Sequence, residues 1–192
     1  MGAADVPTTA RAAAPARSPA RRALWLLQRE HRWLFDQLTA VEAAGDDDPA
    51  VADRLRIFCN ELAAHRALEH KVFYPPLDTK LSDTDAVRTA QVEHQLLDRL
   101  SGRLLRRDPG DPFFRPLVRV LRTVLRQHVA TEEGWFAEAR EVAADWPRLI
   151  AVLQARQHER RRLPRALTGG NRDGGAGASG NRSTGVRPLP PT

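Results

Sequence analysis

The sequence has a single cysteine, Cys59, among 192 residues. An intrachain disulfide is therefore excluded, as is a zinc site built on several thiolates. Lysine is almost absent: only Lys71 and Lys80 stand among 30 basic residues, and we read the excess of arginine as the coding bias of a GC-rich genome. No apolar run approaches the ~20 residues of a membrane helix. The first 18 residues lack the apolar stretch of a secretory signal. These absences fit a cytoplasmic protein that does not enter a membrane. No segment of useful length alternates with period two, so no sheet is expected. Nucleophile-elbow, P-loop and dinucleotide fingerprints are missing too.

The net charge of +6 suggests a nucleic-acid partner until it is located. Residues 160–192 hold seven arginines and one acid, Asp173, which accounts for the whole excess. The remainder carries 30 − 7 = 23 basic and 24 − 1 = 23 acidic residues and is neutral. The charge therefore describes a tail and not a binding face. That tail has no aromatic residue for base stacking, so nucleic acid is not an expected partner. Residues 1–18 and 164–192, small, Pro-punctuated and Gly-rich, are expected to be disordered extensions, because they cannot bury enough apolar surface to offset their ordering entropy. A helical domain is expected over 19–163.

Helix signals divide that domain. Ser18-Pro19 is a cap with proline at the first helical position. The stripe Leu24, Leu27, Leu34, Leu38, Val41 follows, and Gly45 ends it. Asp48-Pro49 opens a second helix, closed by Pro75-Pro76. Ser82 is the expected cap of a third helix, to about Arg106. Asp111-Pro112 opens a fourth, and Asp145-Trp146-Pro147 starts a shorter fifth, to about Arg161. Four long helices with short connections predict an all-α, up-down four-helix bundle with a short fifth helix.

The chain also matches itself at an offset of 63 residues. Asp48-Pro49 maps to Asp111-Pro112, Glu30-His31 to Glu93-His94, His65 to His128, Glu69 to Glu132 and Phe73 to Phe136. One helix pair thus repeats the other about a pseudo-twofold axis. Four of the six histidines lie on the repeat, each on its helix's apolar stripe. Two interior carboxylates without compensating charge are costly, and no Lys or Arg falls on these stripes at the right height. Positions i and i+4 share a helix face, so each His-x-x-x-Glu aims a nitrogen and an oxygen at the bundle axis. His31 and His94 complete the two ends. A cation is the economical solution. Imidazole with carboxylate, without thiolate, suits iron or manganese, and zinc is compatible.

The pattern His31, His65-x-x-x-Glu69, His94, His128-x-x-x-Glu132 over about Leu24 to Ala139 resembles the hemerythrin, or HHE cation-binding, family, whose myohemerythrin is itself a standard example of an up-down bundle. The resemblance implies two non-haem irons per chain, bridged by the two carboxylates and a solvent-derived oxygen. It places one iron on His31 and His65 and the other on His94 and His128, with Glu69 and Glu132 as bridges. Oxygen-carrying members have a further histidine one turn after the third; here that position is Asp98, and its repeat counterpart is Phe35. Asp98 is either a carboxylate ligand or a solvent-facing residue. A site rich in oxygen donors favours ferric iron and is a poor reversible oxygen carrier.

By the same resemblance, the pattern without the fifth histidine looks most like bacterial hemerythrin-like proteins linked to peroxide and nitrosative stress. The expected ligand is a small diatomic or a peroxide, in sensing or detoxification, with peroxide breakdown the candidate enzymatic activity. The alternative is an iron-storage or metal-dependent regulatory module without turnover. Iron–sulfur repair, which in the family comes with a Cys-containing N-terminal segment, fits less well. Of the remaining residues, His70 and Glu133 are expected at the rim or in solvent; Glu30 and Glu93, one residue before the histidines, are either hydrogen-bond acceptors behind them or exposed, with exposure favoured; His158 is expected exposed and Cys59 buried. Trp25, Trp33, Trp135 and Trp146 are expected in packing, and Tyr74 near the bundle end has no assigned role.

Overall fold

A computed structural model describes residues 18–45 and 48–164. The two expected disordered extensions lie almost entirely outside the described residues. Helix α1 spans Pro19–Ala43 and α2 spans Val51–Leu68, continued without a break by a π-helical segment, Glu69–Phe73. Helix α3 is Ala86–Leu104, α4 Phe114–Gly134, α5 a single turn at Phe136–Ala139, and α6 Trp146–Arg160. The described residues contain no strand, and the fold is the expected helical bundle with an added helix at its C-terminal end.

Local chemistry explains most boundaries. Ser18 caps α1 by accepting from the Arg21 N–H at 3.3 Å, and Asp145 caps α6 by accepting from the Arg148 N–H at 3.0 Å. Asp48 and Asp111 act one step earlier than expected. Each accepts a backbone N–H two residues on, from Ala50 at 2.9 Å and Phe113 at 2.7 Å, and so closes the turn that precedes its helix. Ser82 does not cap α3, which begins four residues later. Its N–H and hydroxyl both donate to the Glu138 carboxylate, at 2.7 and 2.8 Å, and tie the α2–α3 connection to α5.

The apolar stripes meet in two separate clusters. One holds Leu24, Leu27, Phe73, Leu77, Trp135, Trp146 and Leu149; the other holds Leu34, Leu38, Leu55, Phe58, Leu62, Leu97, Leu121 and Leu125. Between them, buried, lie His31, His65, Glu69, His94, His128 and Glu132. A polar layer in the middle of the bundle is thus sandwiched by hydrocarbon. Cys59 is in the second cluster at 6% exposure, as expected. Trp135 and Trp146 are buried as expected, but Trp25 is 40% exposed, its ring against the Arg29 guanidinium at 4.8 Å. The stripe of α1 explains this: Leu24, Leu26 and Leu27 already fill the inward face, and Trp25 falls outside it.

Candidate metal centre

Of the two His-x-x-x-Glu pairs of the repeat, His65 and Glu69 meet directly, whereas His128 and Glu132 fall in different groups of donors. His65 and Glu69 are one turn apart, with Nε2 to Oε1 at 2.7 Å. Glu69 presents its two oxygens to different partners. Oε1 also lies 3.8 Å from His31 Nε2, while Oε2 lies 3.3 Å from His94 Nε2. His31 Nε2 is 3.1 Å from Glu132 Oε2, and His94 Nε2 is 3.0 Å from His128 Nε2. Two groups with metal-ligand spacing result: His31, His65, Glu69 and Glu132, and Glu69, His94 and His128, with donor atoms inside each group within 4.8 Å of one another. Glu69 belongs to both. Glu132 belongs to the first only, where a symmetric repeat would have had it shared as well.

All six residues are 2% exposed or less. Yet His31 Nε2, His65 Nε2 and all four carboxylate oxygens of Glu69 and Glu132 make no hydrogen bond. Six buried, unsatisfied polar atoms facing one another within a few ångströms are costly as they stand. Lone pairs converging on common points are what a cation site requires, so the residues fit a metal.

The opposite ring nitrogens are each held. His31 Nδ1 meets Glu133 Oε1 at 2.8 Å, His65 Nδ1 meets Glu30 Oε2 at 3.3 Å, and His128 Nδ1 meets Glu93 Oε2 at 3.0 Å. His94 Nδ1 meets His70 Nε2 at 2.9 Å. Such contacts fix the ring and direct Nε2 inward. Glu30 and Glu93 were expected to be exposed. Glu30 is instead fully buried and Glu93 only 19% exposed, because the residue before an interior histidine lies beside the helix across from it. His70 and Glu133 do sit at the rim, as expected, and reach back to the cluster. His158 is exposed, as expected.

Asp98 takes the second of its two alternatives. Its side chain is 58% exposed and forms a two-pronged ion pair with Arg66, whose guanidinium also donates to the His94 carbonyl. It does not reach either group of donors.

Two contributions escaped the sequence. The first is Tyr74. In the π-helical segment the Tyr74 N–H bonds to the Glu69 carbonyl, five residues back, at 2.8 Å. Residue i+5 then stacks over i, so Tyr74 is carried over Glu69 and into the layer. Its hydroxyl lies 3.4 Å from His94 Nε2, and its ring stacks on the His94 imidazole. The repeat counterpart is Ala137, so periodicity gave no signal. The second is a pair of arginines from α6. Arg160 pairs with Glu30 at 2.7 Å and Arg156 at 3.2 Å, and both also bind Glu61.

These neighbours set the charge states. Burial works against a charged Glu30, but His65 and the two arginines outweigh it and hold the carboxyl at about 2. Burial likewise opposes a protonated His31, and the carboxylates of Glu132, Glu133 and Glu69 overcome that and raise its pKa. His94 goes the other way: burial dominates and lowers it. The Tyr74 phenol is pushed far up by burial and by the charges of Glu132 and Glu69.

With this geometry in place, the sequence comparison is decisive. The sequence profile described as the hemerythrin HHE cation-binding domain matches residues 22–139, more than half of the chain. The chain belongs to the hemerythrin HHE cation-binding domain family. The matched span runs from the first turn of α1 to the end of α5 and contains all six clustered residues. No curated protein matches the sequence. Among solved structures, a hemerythrin HHE cation-binding domain-containing protein from Mycobacterium kansasii is similar, with 20% identity and a TM-score of 0.58. The match covers 76% of this chain and 95% of that one. At that identity it supports the fold alone. The hemerythrin-like domain described above therefore carries a His/Glu cluster suited to cation binding, and none of its described helices is long and apolar enough to cross a membrane.

Proposed function

We propose that the cluster holds two non-haem irons and that the protein binds or reacts with a small molecule such as O₂, NO or a peroxide, in sensing or detoxification. The observation that carries this reading is Glu69, whose two oxygens face two separate sets of imidazoles. A carboxylate so placed serves two metals at once. His31 and His65 hold the first, with Glu132; His94 and His128 hold the second. Manganese or zinc would satisfy the same nitrogen and oxygen donors, but the phenol oxygen of Tyr74 beside the second position adds a donor that favours ferric iron. Bound iron supplies open coordination positions and one-electron chemistry. The chain supplies the rest. Its layer, enclosed between two apolar clusters, admits only small ligands, and the carboxylates behind His31, His65 and His128 keep each Nε2 free to donate.

The test is metal content and the visible spectrum of protein from iron-supplemented cells, beside His65→Ala and His128→Ala. About two irons per chain with a near-ultraviolet ferric band, both diminished in the variants, are expected. No metal and unchanged folding in both variants would overturn the reading. Peroxide and NO titrations then divide the alternatives. Sustained peroxide turnover without bleaching marks an enzyme, and stoichiometric binding alone marks a storage or regulatory module.

A further inference from the structure

Outside the cluster, one cavity combines charge and geometry in a way the metal centre does not account for. It lies between α1 and α6, has a volume of about 240 Å³, and is lined by Arg29, Trp33, Gln157, Arg160 and Arg161. Three guanidinium groups border it and no carboxylate does. Arg160 is nearly buried, stacked on the Trp33 ring at 4.4 Å and paired with Glu30 and Glu61. Arg29 and Arg161 are exposed, and neither has a carboxylate partner among the described residues. Arg29 lies over the Trp25 ring, its guanidinium carbon 4.8 Å from the ring centre. The C-terminal carbonyls of α6 contribute about half a negative charge, enough to offset one of the two free cations only in part.

We infer that this cavity is a binding site for a small oxyanion of the phosphate-monoester class, coupled to the metal centre through Arg160. Two unneutralised guanidinia, one on α1 and one just past the end of α6, suit a dianion with several terminal oxygens, because planar N–H forks pair with such oxygens two at a time. The Gln157 amide adds a donor at the same wall. The volume is below the ~300 Å³ at which drug-sized pockets begin, so the ligand is small. The coupling follows from a continuous set of contacts. Arg160 lines the cavity and pairs with Glu30 at 2.7 Å, and Glu30 meets His65 Nδ1 at 3.3 Å. An anion that draws on the charge of Arg160 leaves more of the Glu30 charge on His65, strengthens that imidazole as a donor and favours the ferric state. By linkage, metal state changes anion affinity by the same factor. The coupling rests on the iron reading above; the binding site does not.

The experiment is a calorimetric titration of the full chain, with and without iron, using inorganic phosphate and adenosine monophosphate as probes. The Arg29→Ala/Arg161→Ala double variant, which leaves every residue of the two donor groups in place, is run beside it. Saturable binding of one chain equivalent is expected in both metal states, weakened at least about tenfold in the double variant. Preference for the nucleotide over phosphate would place the organic part of the ligand against Trp33. In iron-loaded protein, saturation is expected to lower the reduction potential, and the double variant abolishes that shift. Absence of saturable binding, or equal binding by the double variant, would overturn the site. Normal binding with an unmoved potential would overturn the coupling. Normal binding by a protein that takes up no iron would leave the site standing and remove the metal reading instead.

Discussion

The two halves of the internal repeat place the same residues behind their second histidines and surround them differently. Glu30 stands behind His65 and Glu93 behind His128, at matching positions and similar distances. Glu30 is sealed from water and paired with Arg156 and Arg160. Glu93 is 19% exposed, and no arginine reaches it among the described residues. The difference comes from α6, which packs along α1 and has no counterpart on α3. A repeated sequence thus fixes the donors, while an unrepeated helix decides how charge is balanced behind them. The donor group of His31 and His65 is backed by two carboxylates and a buried ion-pair network. The donor group of His94 and His128 is backed by one carboxylate and an imidazole, His70, with a phenol alongside.

The largest expected effect tests the shared member. Glu69→Ala should remove both metals, whereas His128→Ala should remove mainly the second; elemental analysis of the two variants decides it, and equal losses would erase the distinction between positions. Next is the buried network. Arg160→Ala leaves Glu30 short of one partner in a sealed site and should cost about 3 kcal/mol in chemical denaturation, whereas Arg66→Ala, which breaks a pair whose acid is 58% exposed, should cost less than about 1 kcal/mol beyond its lost backbone hydrogen bond.

A smaller effect follows from pH. Glu30 has a folded pKa of about 2 against an ordinary 4.5, so the unfolded chain binds the proton first on acidification. Its contribution is fully present above about pH 4.5 and is lost as pH falls towards 2, in total of the order of 3 kcal/mol. Glu30→Gln should flatten acid denaturation across that window, and Glu93→Gln should leave it nearly unchanged. The smallest change in stability belongs to Tyr74→Phe, within about 1 kcal/mol. It should retain both metals and alter the visible spectrum of the iron-loaded protein; an identical spectrum would mean that the phenol takes no part.

Much of this was legible in the sequence, for a physical reason. His65 and Glu69, or His128 and Glu132, share a face because a helix turns once in 3.6 residues, and Ser18-Pro19 and Asp145 cap because their oxygens reach N–H groups three residues on. What depends on a change of period was not legible. Tyr74 is off the α-helical stripe and enters the layer only because the helix widens at Glu69–Phe73. Ser82 looks like a cap by its type alone, while its partner, Glu138, is 56 residues away. Exposure is the favoured reading of Glu30 because one helix considered by itself leaves it off the stripe. The arginines that hold it come from α6, the nearer of them, Arg156, 126 residues further along.

Cys59 has a bearing on how the bundle would withstand an oxidant. Its thiol is buried, and burial pushes its pKa up to about 11, so almost none is present as thiolate at neutral pH. The sole methionine is Met1, at the very start of the chain. The folded body therefore offers an oxidant no reactive sulfur, neither a thiolate to climb the sulfenic ladder nor a thioether inside the core to be made polar. The polar layer is therefore enclosed by leucine, valine and phenylalanine, side chains that peroxide does not readily oxidise.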